Sequence, residues 1–300
     1  MSDLAPPRDV GVLVMPPPSP ESETVRARRE RIRLLMRSKT FLAGAIIVGI
    51  WVFCAVLGEA IAPKDPFVPD ILNKLDPPSG QHLMGTDRLG RDVLSRVMVG
   101  ARDILIVAPL ATLLGTVLGT ALGLVTGYYR GIVDDVLSRV IEAFLAIPVT
   151  ITGALALVAL GPSRITVIMV IGLVFSPIIA RTVRAAVLAE RQLDYVAAAR
   201  LRNERGPYIL FGEILPNVMA PILVEFTVRL GYAIFAIATL SFLGFGIQPP
   251  APDWGLQISE AYGFISGGIW WPTLFPALAI TSLVIGVTLL SDGLAGAFER

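Results

Sequence analysis

The stretch Asp194-Tyr-Val-Ala-Ala-Ala-Arg-Leu-Arg-Asn203-Glu-Arg-Gly-Pro-Tyr-Ile-Leu-Phe-Gly-Glu-Ile-Leu-Pro-Asn217 lies between two apolar blocks, 165–182 and 218–243. It is polar without the composition of a loop. Arg184 to Arg202 is rich in Ala, Leu, Glu, Arg and Gln, all good helix formers. Asn203 accepts the left-handed conformation that ends a helix. Gly206 supplies a joint, and Pro207 suits the first turn of a new helix, where its missing N–H is not needed. Tyr208 to Leu215 continues as a second short helix up to Pro216. The segment 183–217 therefore reads as a helix–turn–helix, and its apolar flanks say what it projects from.

Blocks of about 20 apolar residues, the length that crosses the hydrocarbon of a bilayer, recur along the chain. Six qualify as spanning helices: 41–62, 104–127, 140–160, 165–182, 218–243 and 273–293. The composition agrees: 54% of the 300 residues are apolar and 16% charged, against about a quarter charged in ordinary soluble domains. Mean hydropathy is +0.70. The expected fold class is all-α, a polytopic membrane protein. A net charge of +1 argues against nucleic acid as a partner, since that surface carries a basic excess. The first block begins too late, behind too many arginines, for a cleaved signal peptide. The chain divides into a tail (1–40) with a basic surface helix over Arg26–Lys39, a first spanning helix (41–62), an outer loop (63–103) and a core (104–300). A solvated retention signal is an equal reading of the basic stretch.

The rare residues exclude several chemistries. Cys54 is the only cysteine and His82 the only histidine, so no disulfide within the chain and no zinc site of the usual spacing is expected. Lysine occurs at positions 39, 64 and 74, never after glycine, so there is no phosphate-cradling P-loop. No catalytic residue, metal ligand or cofactor is expected in this chain. If ATP is used, another chain hydrolyses it.

Basic residues set the orientation. With the N-terminus inside, 17 of the 25 Lys and Arg fall on the cytoplasmic side, six of them around the 183–217 loop, and seven outside. Arg229 lies within a span. Both termini are therefore expected in the cytoplasm of a multi-pass membrane protein.

Within the spans, Gly115, Gly119, Gly123 and Gly127 repeat every four residues, with Ala111 on the same line. Such spacing lets a second backbone approach closely, either as packing within the chain or as a sliding contact. Pro109 and Pro148 are expected to bend their helices. Glu225 and Arg229, four apart, share a helix face and can pair. Ionisable groups at membrane depth face protein or a water-filled path, so these two are candidates for the wall of a translocation pathway, with a structural salt bridge as the alternative. Trp254, Trp270 and Trp271 suit the interfacial aromatic belt. Gln248, Asp253 and Trp254 lie in the outer loop 244–272, which is read as a docking surface for an outer partner or as a plug over the mouth.

Tyr195-Val-Ala-Ala-Ala-Arg200 through Ile214-Leu-Pro-Asn217 resembles the "EAA loop" of permease subunits in binding-protein-dependent ABC importers. Two positions depart from that motif: Ala197 stands at its glutamate and Asn203 at its glycine. Gly85-Thr-Asp87-Arg-Leu-Gly90-Arg-Asp92-Val-Leu-Ser-Arg96 and Ser241-Phe-Leu-Gly-Phe-Gly-Ile-Gln248-Pro-Pro-Ala-Pro-Asp253-Trp254-Gly255 resemble segments of the "C" type permeases for dipeptides, oligopeptides and nickel. The resemblance covers roughly residues 30–300. It implies the type I ABC importer permease fold and a pathway shared with a second, homologous permease. It also implies two partner ATPases that bind ATP and Mg, a substrate-binding protein outside, and contact with membrane lipid. The ATPase would be gripped by Asp194, Tyr195, Ala198, Ala199, Arg200, Asn203, Glu204, Gly206, Ile214 and Pro216; the missing glutamate either removes a salt bridge to it or passes that role to Asp194 or Glu204. Peptide is the implied cargo. Nickel or another small solute, or an ion-coupled carrier of another class, are the alternatives.

Overall fold

A computed structural model describes residues 35–298. Most of the tail, including Arg26–Leu34 of the basic stretch, and Arg300 lie outside the described residues. Nine helices are named here: α1 (Lys39–Ile61), α2 (Val93–Tyr128), α3 (Ile132–Leu145), α4 (Val149–Leu160), α5 (Arg164–Glu190), α6 (Asp194–Leu201), α7 (Gly206–Phe242), α8 (Trp254–Ala261) and α9 (Trp271–Phe298). Among the described residues the only β pairing is an isolated bridge between Thr86 and Asp92. The chain is all-α, and α1, α2, α5, α7 and α9 are long and apolar enough to cross a membrane.

Capping chemistry sets where these helices begin. Ser38 accepts from the Phe41 amide and starts α1, and Ser163 accepts from the Thr166 amide and starts α5. Each side-chain oxygen satisfies an amide that has no partner inside the helix. Asp92 does the same for α2, so this helix begins at Val93, inside the stretch read as outer loop. Its 36 residues extend about 54 Å at 1.5 Å per residue, well beyond the hydrocarbon.

The third expected span, 140–160, is not one helix. The chain breaks ahead of Pro148, and the axes on either side are bent by 89°. Proline disfavours helical backbone in the residue before it and has no amide to donate to the preceding turn; Pro148 itself is extended at ψ 133. Two ion pairs show that the broken pair still crosses the structure. Arg184 of α5 holds Asp134 of α3 at 2.8 Å, and Arg164, at the other end of α5, holds Asp103 of α2 at 2.7 Å. Between Asp134 and Arg164 the chain therefore travels back along twenty residues of α5, about 30 Å at helical rise. Counting α3–α4 as one gives six crossings.

That return path lets α2 and α5 run parallel, and the glycine line is their seam. A Cβ at Gly119 would lie 2.7 Å from the Ser176 carbonyl and Ile179, and one at Gly123 2.7 Å from the Ala180 carbonyl and Val183. Gly115 faces Gly172, and Gly127 faces Val187. The glycines therefore pack inside the subunit. Around this seam a core of Val107, Ala108, Ala111, Leu124, Ile171, Phe175, Ile179 and Val183 is buried.

The two ends of the bundle differ. One carries α6 and the start of α7. The other is a cap made of residues 63–92, the first turns of α2, and α8. In the cap Asp87 and Glu260 hold Arg91 at 2.7 and 3.2 Å, and Arg96, 1% exposed, donates to the Pro66 carbonyl at 3.0 Å. His82 bridges Asp92 (2.9 Å) and Lys64 (3.2 Å). Of the three tryptophans expected in an interfacial belt, only Trp270 is exposed. Trp254 and Trp271 are buried because their indoles donate inward, to the carbonyls of Val97 at 2.9 Å and Thr86 at 3.1 Å.

Candidate functional site

The single first helix expected over Arg184–Arg202 is in two pieces: α5 runs on to Glu190, residues 191–193 turn, and α6 follows. α6 ends at Arg202, and Asn203 takes a left-handed φ of 58°. The Glu204 amide then donates to the Ala199 carbonyl, and the Asn203 amide to that of Arg200. This is a Schellman closure, and asparagine replaces glycine in it because its short polar side chain tolerates the left-handed region. The second helix does not stop at Pro216. Ile209–Ile214 widens into a π turn, with the Leu215 amide bonded to the Leu210 carbonyl, and the chain continues into the spanning part of α7. The wider turn comes just before Pro216, which would otherwise crowd the carbonyl four residues back.

One face of α6 holds it to the bundle. Val196, Ala199, Ile209, Leu210 and Ile214 are buried. The Tyr195 hydroxyl donates to Glu190 at 2.7 Å, and burial together with that carboxylate pushes its pKa up to about 12. Burial, with Arg200 nearby, lowers the pKa of Arg191. Arg191 and Arg200 lie over the Tyr128 ring, 6.0 and 5.5 Å from its centroid, a cation–π pairing. Gly206 is tight against Tyr129. The opposite face is open: Asp194, Ala197, Ala198, Arg200, Asn203 and Pro216 are exposed, and Glu204 is half-buried. Leu201 is 86% exposed. Tyr195, Ala199, Gly206 and Ile214 thus hold the hairpin from within, Arg200 covers Tyr128, and the others face outward. Sequence reading missed Leu201, although it lies one turn after Ala197, and missed the Tyr128 seat, which no local pattern announces.

Glu225 and Arg229 are paired through Oε1 and Nε on α7, and Arg229 lies 5.3 Å from the centroid of Tyr232. Both side chains are largely buried, while Tyr232 is exposed. Of the three residues expected at an outer docking surface, only Gln248 is exposed, its amide donating to the carbonyls of Gly244 and Gly246. Asp253 caps α8 by accepting from the Leu256 amide at 2.9 Å and is buried. That burial raises its pKa to about 6, against the opposing effect of the Leu256 amide hydrogen bond. Trp254 meets Trp51 edge-on at 4.8 Å inside the chain. Gln248 thus lies at the surface of this loop, with Asp253 and Trp254 buried beneath it.

A family model described as "Binding-protein-dependent transport system inner membrane component" matches residues 119–300. A second, "N-terminal TM domain of oligopeptide transport permease C", matches residues 28–78. The dipeptide transport system permease protein DppC of Alkalihalophilus pseudofirmus is 36% identical over 285 residues, covering 95% of this chain and 93% of the relative. The dipeptide permease DppC of Escherichia coli K12 is 42% identical over 270 residues (88% and 89%). The di/tripeptide permease DppC of Pseudomonas aeruginosa is 35% identical over 268 residues (87% and 88%). With a bundle of apolar crossings and a closed hairpin at one end, the chain belongs to the family of inner membrane components of binding-protein-dependent transport systems.

Proposed function

We propose that this chain is the C-type permease subunit of an ABC importer of short peptides in a bacterial plasma membrane. A homologous permease completes the pathway, two separate ATPase subunits bind ATP and Mg, and an extracytoplasmic binding protein delivers the cargo near Gln248. The hairpin end, with both termini, is cytoplasmic. The observation that carries this reading is the hairpin: anchored inside by Val196, Ala199 and Ile214, open outside at Ala197, Ala198 and Leu201. An exposed apolar side chain on a rigid projection suits a partner surface, and the small alanines let it come close. Peptide is proposed from the names of the relatives. ATP-driven closure of the ATPases would tilt the helices through the hairpins and shift the bundle between two conformations. Glu225 and Arg229 form part of the pathway wall.

The test uses cells in which this chain is the sole permease of its type. Pull-down of the tagged chain is expected to recover nucleotide-binding subunits, and vanadate to block uptake of labelled di- and tripeptides. Uptake that persists without any ATPase would sink the reading. So would cells lacking the chain that take up peptides normally.

A further inference from the structure

Arg229 uses only one of its donors. Its Nε reaches Glu225 one turn back, and among the described residues neither Nη atom meets an acceptor, nor does Glu225 Oε2 receive a donor. None of these atoms is among the fully buried polar atoms without partners, so the unused edge of the pair opens onto the surface. Tyr232, one turn further and 58% exposed, lies against the guanidinium. The pair sits near the middle of α7 (Gly206–Phe242). Two donors and an acceptor, side by side at that depth, are costly unless something polar meets them.

We propose that Glu225 and Arg229 form a pathway subsite for the free ends of a short zwitterionic peptide: Arg229 takes the carboxylate and Glu225 the ammonium. The inference rests on the pathway reading above and adds the chemistry of the ligand. The free guanidinium edge matches a carboxylate through two parallel N–H···O bonds. The Glu225 oxygen accepts from the ammonium. A ligand with both ends charged brings no net charge to membrane depth, and when it leaves, the pair is still closed on itself through Nε. The subsite therefore neutralises its cargo without retaining it.

The test is made on the whole importer in membrane vesicles, without binding protein, in a Cys54→Ser, Val228→Cys background. Val228 is on α7 between Glu225 and Tyr232, 36% exposed. A charged methanethiosulfonate is expected to label Val228→Cys, and millimolar alanyl-alanine to slow labelling several-fold. N-acetyl-alanyl-alanine amide at the same concentration should leave the rate unchanged. Arg229→Lys keeps the charge but loses the planar fork, and should abolish most of the protection by alanyl-alanine, measured against that variant's own unprotected labelling rate. If the reagent never reaches Val228→Cys, the pathway reading itself fails. If it labels, but both peptides protect equally or neither does, the pathway stands and the subsite is overturned; unchanged protection in Arg229→Lys overturns it too.

Discussion

The amide of Glu204 donates to the carbonyl of Ala199 at 3.2 Å, and this bond exists only because Asn203 between them is left-handed. Asn203→Gly should leave uptake near wild type, since glycine adopts that backbone without penalty. Asn203→Val should cost about 1–2 kcal/mol at the turn and separate ATP hydrolysis from uptake. The measurement is the ratio of peptide uptake to ATPase rate in the assembled importer. A valine variant with the wild-type ratio would mean the turn does not transmit force.

The α2–α5 seam has no room for a side chain. Gly119→Val and Gly123→Val should each lower the thermal midpoint of the purified chain in detergent, at a cost of about 1–3 kcal/mol from overpacking. Gly49→Ala, where an added Cβ meets nothing within 4 Å, should leave it unchanged or raise it, since alanine is the better helix former. Equal midpoints for all three would contradict the seam.

Asp87 faces Arg91 at 2.7 Å and Arg96 at 3.5 Å, with both arginine side chains almost fully buried. Asp87→Asn leaves two buried cations with less compensation, and roughly 3 kcal/mol should be lost. Arg88→Ala breaks only a pair in which Arg88 is 47% exposed and should cost under about 1 kcal/mol. Thermal midpoints of the two variants, compared in one detergent, check the ordering.

Asp253 makes stability depend on pH in a defined direction. Its carboxyl is raised from 3.8 to about 6 by burial, so in that window the folded chain holds a proton that the unfolded chain has released. This contribution is complete below the unfolded value and is lost as pH rises through the folded one. It amounts to at most about 3 kcal/mol. Asp253→Asn, which still caps α8, should be the more stable protein at pH 7.5 and show no advantage at pH 4. Unfolding midpoints at the two pH values decide it.

The helix ends were readable where one side chain decides them. Asn203 announces a stop, and Gly206-Pro207 a restart. The glycine repeat marks a close seam, although its partner, α5, emerges only once the return path of α3–α4 is known. The break at Pro148 was legible as a bend, while no spacing within 140–160 encodes the 89° between α3 and α4. The tryptophans misled for a similar reason. An indole at a span end suits a belt, but Trp254 and Trp271 found carbonyls of α2 and of the preceding loop within reach, a choice made by tertiary geometry. Residues 209–214 look like ordinary helix, and the π turn there answers to a proline that follows it. Glu225 and Arg229 paired as their spacing required, while which surface they face is a property of the assembled helices.

α2 joins the two ends of the molecule in one piece. Its first turns are bolted into the cap by Arg96 and by the Trp254 indole on Val97, and its last residue, Tyr128, is the seat of Arg191 and Arg200 beneath the hairpin. Pro109 lies inside it, yet the helix runs on unbroken for 36 residues, so a single element spans from the cap to the hairpin. A push on the hairpin would then be felt at the cap through this one helix, without a relay of side chains rearranging in turn.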